Sequence, residues 1–401
     1  MEILILSYWF PYPPDNGARM RAFNLIKRLS AHNKIDLLSF AFVPPSENQI
    51  QEMKKYCRQV EVMQLEEFKP SRLRALLGYF SPLPRSVVDT YSKSLEKLIH
   101  VYTQKNDYDL MIALTLGTAP YAIKVRNKPK ILEEVELGVY YEQQLTESLP
   151  FRKIQKQLMW EKYSRYVIRL LKSYDGCTVV SQKERGFVQK LMGDQYPISV
   201  VPNGVDISYY RDINLEPVPN TLIYSGALTY GANFDAVDYF LREIFPLIQA
   251  TIPGVKLYIT GSTENVPLEH LPKRDGVVFT GYLDDIRHKI AESWVNVVPL
   301  RIGGGTRLKI LESLALGTPV VTTSKGVEGL ELEHGRDLFI ADEPKDFARV
   351  VISLLEDEEK RKELGTHGKH TVLAKYDWEP IVNRLEEFML DILQKHADPS
   401  L

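Results

Sequence analysis

The chain has 401 residues, with 50 Lys+Arg against 52 Asp+Glu for a formal net charge of −2, and is 44% hydrophobic and 25% charged. At roughly 100–200 residues per domain, this length holds two or more compact units, and the composition excludes disordered and fibrous classes. No basic excess is present to neutralise a polynucleotide backbone, so nucleic acid is not an expected partner.

Cys57 and Cys177 lie far apart without metal-ligand or redox spacing, which fits a reducing, cytoplasmic compartment. The N-terminus reads as a first strand rather than a signal peptide, and no segment offers the ~18 or more apolar residues of a membrane span. The expectation is a soluble protein, peripheral at most at the inner face of a membrane.

Short apolar runs alternate with longer amphipathic stretches. Strands are expected at Ile3–Ser7, Ile35–Phe40, Val60–Leu65, Leu110–Ala113, Lys130–Leu132, Gly176–Val180 and Ile198–Val201, with a helix over Arg19–Ala31. A second series runs through Leu222–Ser225, Lys256–Thr260, Val277–Thr280, Val295–Leu300, Pro319–Thr323 and Leu338–Ile340. This α/β pattern predicts two Rossmann-like, doubly wound parallel-sheet domains facing a central cleft. The expected boundaries are 1–213, a linker at 214–220 containing Pro217 and Pro219, 221–378, and a C-terminal helix over 379–401 returning to the first domain.

The most informative segment runs from Arg301 to Thr323: a strand end, Gly303-Gly304-Gly305, Thr306, and a helix carrying Arg307, Lys309 and Glu312. Glycines let backbone approach a ligand closely, and a helix N-terminus favours an anion. Cations in a first helical turn oppose the helix dipole. A bound diphosphate accounts for Arg307 and Lys309 there; the alternative is a tight turn with two solvated cations.

Together with Pro202-Asn203-Gly204-Val205-Asp206, this segment resembles the GT-B glycosyltransferases of family GT4. The resemblance extends along the chain through Pro13-Pro14-Asp15-Asn16-Gly17, Trp160-Glu161, Val179-Val180-Ser181, Phe279-Thr280-Gly281-Tyr282 and Tyr376-Asp377-Trp378. It implies a retaining, metal-independent transferase that moves a sugar from a UDP or GDP donor to an acceptor hydroxyl, in polysaccharide or glycolipid assembly. No cofactor is implied, because the nucleotide sugar is a substrate. Rival readings are a nucleotide-sugar epimerase on the same fold and a non-catalytic nucleotide-sugar-binding protein.

The family's Glu-x7-Glu pair is matched at its second position by Glu312, implied to hold the ribose, while Gly304 occupies the first. Glu328 is the candidate replacement for that missing sugar-reading carboxylate. The family's Arg-and-Lys pair after the first donor-domain strand is missing from Tyr224 to Asn233, and Arg307 and Lys309 are its expected substitutes. The implied catalytic residues are Arg307, Lys309 and Glu312. The implied donor-binding residues are Gly17, Gly226, Gly281, Tyr282, Gly303, Gly304, Gly305, Thr306 and Glu328.

On the acceptor side, Arg19 and Arg21 are candidates beside a phosphate or acceptor, with solvent exposure as the alternative. Where the family often carries a histidine, Glu134 and Glu136 stand instead: one of them orients an acceptor hydroxyl, or the stretch is a helix N-terminal turn enriched in acid. No metal site is expected. Asp107-Tyr108-Asp109 reads as a polar strand start and His367/His370 as a solvated helix face. Residues 69–85 mix four cations with Leu, Tyr and Phe without an acid, as a membrane-contacting segment would for a lipid-linked acceptor; the alternative is a solvated helix and loop packing its leucines inward.

Overall fold

The computed structural model describes residues 1–65, 84, 91–138, 141, 150–213 and 215–397. It divides into two compact units: Met1–Pro202 with Ile381–Leu401, and Asn203–Pro380. The membrane-contacting segment expected at 69–85 lies outside the described residues apart from Pro84.

In the first unit, β1 (Glu2–Ser7), β2 (Lys34–Ala41), β3 (Gln59–Gln64), β4 (Leu110–Leu114), β5 (Lys130–Glu133), β6 (Gly176–Val179) and β7 (Ile198–Val200) form a parallel sheet ordered β3-β2-β1-β4-β5-β6-β7. Ile5 pairs with Leu37 on one side and Ile112 on the other. The central strands are apolar on both faces because a parallel sheet is covered on both; Ile3 to Leu6 are buried throughout. Strand order reverses between β1 and β4, which leaves a crevice at their carboxyl ends.

Helix α1 (Gly17–Leu29) follows β1, capped by Asn16, whose side chain accepts from the Arg19 N–H at 3.1 Å. It buries Ala22, Leu25, Ile26 and Leu29 on one stripe. Later helices are α2 (Pro150–Leu171) and α3 (Gln182–Met192), the latter capped by Ser181.

The second unit's sheet comprises β8 (Val218–Ser225), β9 (Lys256–Thr260), β10 (Val277–Gly281), β11 (Ser293–Val298), β12 (Val320–Thr322) and β13 (Phe339–Ile340), parallel in the order β10-β9-β8-β11-β12-β13. Helix α4 (Gly231–Tyr239) follows β8 and α5 (Leu308–Leu316) follows β11, with α6 (Pro344–Glu356) and α7 (Glu358–Lys375) later in the chain. Helix α5 stops at Gly317, whose φ of +84° a side chain would strain. Helix α7 packs on α5 through glycines: a Cβ on Gly368 would sit 2.6 Å from Leu314 Cδ2, and one on Gly365 would meet the Gly317 carbonyl oxygen.

The last helix, α8 (Trp378–Ala397), joins the first unit from Ile381 onward. There a Cβ on Gly176 would lie 2.7 Å from Phe388 and 2.8 Å from Ile392, and Asn33 Nδ2 donates to Glu386 at 2.9 Å.

The break between units falls at 202/203, upstream of the linker expected at 214–220, and again at 380/381 rather than 378/379. Burial sets it: Ile207 and Tyr210 pack into the second unit's core, and Val218 already opens β8 with its N–H donating to the Glu292 carbonyl at 2.7 Å. Helix α1 spans Gly17–Leu29 instead of Arg19–Ala31, since Asn16 caps it early. Asp107-Tyr108-Asp109 leads into β4 as expected, with Asp107 paired with Lys128. His367 and His370 are exposed on α7.

Candidate nucleotide-sugar site

After β11 the chain passes through the glycine loop into α5. Gly303 and Gly305 have φ of +107° and +77°, a conformation in which a side chain is strained. Arg307 immediately precedes α5 and is 7% exposed. Its guanidinium donates to the Gly303 carbonyl at 2.9 Å and to those of Gly304 and Gly305. It therefore organises the loop from within rather than standing as a solvated cation. Thr306 Oγ1 accepts from Asn203 Nδ2 at 3.0 Å, so the Asn203–Asp206 stretch and the glycine loop, about a hundred residues apart in sequence, meet inside the second unit.

Lys309, in the first turn of α5, turns its ammonium toward the loop after β8. Nζ donates to Tyr224 Oη at 3.1 Å and Asn233 Oδ1 at 3.0 Å, and lies 4.2 Å from the centre of the Tyr224 ring. A Cβ on Gly226 would stand 2.6 Å from Nζ, so the glycine makes room for the ammonium. Burial lowers the Lys309 ammonium to about 7, with Arg307 adding to the fall and Glu312 opposing it.

Glu312 lies three residues beyond Lys309, on the same helical face. Its carboxyl is raised by burial, against a hydrogen bond from Tyr210 and the field of Lys309. At the ends of β8 and β9, the register partners Ser225 and Thr260 carry buried hydroxyls without a hydrogen-bond partner. Such groups invite explanation at strand carboxyl ends, where polar ligands dock.

The remaining donor-side residues are less tightly gathered. Gly281 ends β10 with φ +71°, and its carbonyl accepts from Gly261 N–H at 2.9 Å. Tyr282 beyond it is 73% exposed. Glu328 pairs with Lys325 at 2.6 Å in the turn after β12. A Cβ on neighbouring Gly326 would meet the Val298 carbonyl at 3.0 Å, which seats that turn against the strand feeding the glycine loop.

In the first unit, Gly17 opens α1 and Arg19 Nη1 pairs with Asp15 at 3.0 Å. Arg21 is 1% exposed, so neither a solvated side chain nor a free phosphate ligand describes it. Its guanidinium donates from Nε to Glu133 Oε1 at 2.9 Å and to the carbonyls of Val201 at 2.8 Å and Pro202 at 3.1 Å. A narrow pocket above it is lined by Tyr8, Trp9, Arg21, Thr115, Glu133 and Glu134 among others.

Two of those residues are left-handed without being glycine: Thr115 at φ +66° and Glu134 at φ +61°. For a β-branched residue this is an outlier. Backbone bonds hold both, Thr115 N–H to the Glu133 carbonyl at 2.9 Å and Glu134 N–H to Thr178 Oγ1 at 3.0 Å. Retained strain of this kind clusters at functional sites. Glu136 lies two residues further along. The loop carrying it is tied by the Glu184 carboxylate, which accepts from Leu137 N–H at 2.7 Å and Gly138 N–H at 2.9 Å.

Sequence reasoning did not single out Tyr210, Tyr224, Asn233, Thr115, Glu133 or Glu184. Tyr224 and Asn233 stood in a stretch noted only for its lack of cations; polar residues at a strand end and a helix start were the available signal. Among the described residues, no group of three or more His, Cys, Asp or Glu side chains is placed to hold a metal ion, and no helix is long and apolar enough to cross a membrane.

Residues 219–357 match the family of glycosyl transferases group 1. A Klebsiella pneumoniae protein described as an uncharacterized 44.6 kDa protein in the cps region is 22% identical over 391 residues, covering 94% of this chain and 96% of its own. Among solved structures, Anabaena HepE in complex with UDP and glucose superposes with a TM-score of 0.68 at 16% identity, covering 96% of this chain and 98% of HepE. Sucrose-phosphate synthase from Thermosynechococcus elongatus gives a TM-score of 0.68 at 16% identity, covering 98% and 100%. The chain has the GT-B fold, and within its second unit residues 219–357 are similar to the glycosyl transferases group 1.

Proposed function

We propose that the chain is a nucleotide-sugar-dependent glycosyltransferase that retains anomeric configuration. The observation that carries this reading is the cluster on α5: a glycine loop drawn together by Arg307, an ammonium at Lys309, and a carboxylate at Glu312 on one helical face. A diphosphate fits the loop and ammonium, since fixed dipoles and cations suit a small polyanion. Glu312 suits a ribose diol, which donates two hydrogen bonds to an acceptor-only carboxylate. Tyr282 is assigned to the base and Glu328 to the donor sugar. Gly226, Gly281 and Thr306 complete the donor side of the second unit.

In this reading the bond from the sugar's anomeric carbon to the diphosphate oxygen breaks as the bond to the acceptor oxygen forms on the same face. The acceptor hydroxyl proton passes to the departing diphosphate oxygen. Stabilising the charge that develops on that diphosphate is then the main catalytic contribution, and Arg307 and Lys309 supply it. Glu134, presented by a strained backbone beside a pocket, is the acceptor-side carboxylate, with Glu136 nearby. Arg21 acts from beneath, and Arg19 is assigned to the same side.

The name of the Klebsiella relative, which places it in a cps region, supports a role in polysaccharide assembly; a sugar or lipid-linked acceptor met at the cytoplasmic side of a membrane completes this reading. No metal is assigned to the reaction, so turnover is expected to survive EDTA. The deciding experiment incubates the protein with UDP- and GDP-sugars and measures release of nucleoside diphosphate. A pure binding protein releases none, and an epimerase converts the sugar without releasing nucleotide. Proton NMR of the glycoside's anomeric centre tests retention.

A further inference from the structure

Lys309 is an unusual cation. No carboxylate forms an ion pair with it among the described residues; its partners are two neutral oxygens, Tyr224 Oη at 3.1 Å and Asn233 Oδ1 at 3.0 Å, and the face of the Tyr224 ring. A cation withdrawn from water without a counter-charge is costly, and the usual response is loss of the proton. A diphosphate held by the neighbouring glycine loop would supply the missing counter-charge.

We propose that Lys309 is largely neutral in the free protein under mildly alkaline conditions and takes up one proton from solvent at Nζ when a diphosphate occupies the glycine loop. The proposal rests on the nucleotide-sugar reading above and adds a proton linkage to it.

The groups facing Nζ agree with this. Tyr224 at the end of β8 is itself pushed upward by burial, so it stays neutral and offers no anion. Asn233 on α4 does not titrate. Arg307, ahead of α5, carries a fixed positive charge that disfavours a second cation nearby. Glu312 on α5 favours protonation but is engaged by Tyr210. The burial of Lys309 brings its titration to about 7, so binding at higher pH must recruit the proton. A bound diphosphate adds negative charge beside Nζ and reverses the balance.

Isothermal titration calorimetry of the full chain with UDP-glucose and GDP-mannose at pH 8, in HEPES and in Tris, measures the linkage. These donors have no phosphate group titrating near that pH. The expected result is uptake of close to one proton per donor bound, and affinity about eightfold weaker at pH 8.5 than at pH 7.5. Lys309→Arg, permanently charged, should bind without buffer-dependent heat. If that variant does not fold, the wild-type pH series decides alone. Binding with no proton uptake and a flat pH dependence overturns the proposal and leaves the nucleotide-sugar reading standing. Failure of both donors, and of UDP and GDP, to bind overturns that reading, and the proposal with it.

Discussion

Arg21 and Glu133 form an ion pair in which both side chains are 1% exposed, joining α1 to the end of β5 beneath the first unit's pocket. The same guanidinium holds the carbonyls of Val201 and Pro202, the last residues before the chain enters the second unit. Desolvation alone would lower the guanidinium; Glu133, Glu134 and Glu136 outweigh it and hold it above its ordinary range. The pair thereby fixes the residue preceding Glu134, which carries the strained backbone.

Removing one partner strands the other. Arg21→Met should destabilise the first unit by about 3–5 kcal/mol, because a buried carboxylate is left uncompensated. The double variant Arg21→Met/Glu133→Leu should recover a substantial part of that loss. Urea denaturation with a probe in the first unit checks both; equal stability of the single and double variants would contradict the coupling.

Lys309 links stability to pH. Its folded value, about 7, lies below the ordinary lysine value of roughly 10.4, so between them the unfolded chain binds more protons than the folded one. The Lys309 contribution to stability therefore rises with pH from about 7 toward 10. Lys309→Met should flatten that rise and raise the melting temperature of the ligand-free protein near pH 7, while weakening diphosphate binding. Thermal melts across this range, with and without UDP, separate the two effects.

Glu312→Gln should weaken donor binding by about 10–100-fold, the loss of hydrogen bonds to a charged acceptor. The assignment to ribose makes a sharper prediction: wild type should prefer UDP or GDP over the 2′-deoxy nucleotide, and the variant should lose most of that preference. Competition binding measures the ratio. An unchanged ratio would place the carboxylate elsewhere in the site.

Gly365→Ala tests how α7 seats α5. The added Cβ would meet the Gly317 carbonyl group, rigid backbone that cannot swing away. Destabilisation of the second unit by about 1–3 kcal/mol is expected. Donor affinity should fall as α5 shifts, whereas Gly186→Ala, with open space around its Cβ, should leave both unchanged.

Two parallel sheets are legible in the residues alone, because short apolar runs such as Ile3–Ser7 and Val295–Leu300 alternate with longer amphipathic stretches, the pattern of covered strands joined by crossover helices. The residues also marked the glycine loop, Arg307 and Lys309, since Gly-Gly-Gly before cations at a helix start is locally unfavourable without an anion, while Glu312 was implied by the resemblance to the family's Glu-x7-Glu pair. Tertiary structure alone decided what those cations touch. Arg307 turned inward to its own loop's carbonyls, and Lys309 reached Tyr224 and Asn233 some eighty residues earlier in the chain. The same holds for the Arg21–Glu133 pair and for the break at 202/203, where buried Ile207 and Tyr210 outweigh the prolines of 214–220. Local pattern records periodicity and turn chemistry; partners distant in sequence are chosen by burial, which leaves a charge or a hydroxyl only the neighbours that packing supplies.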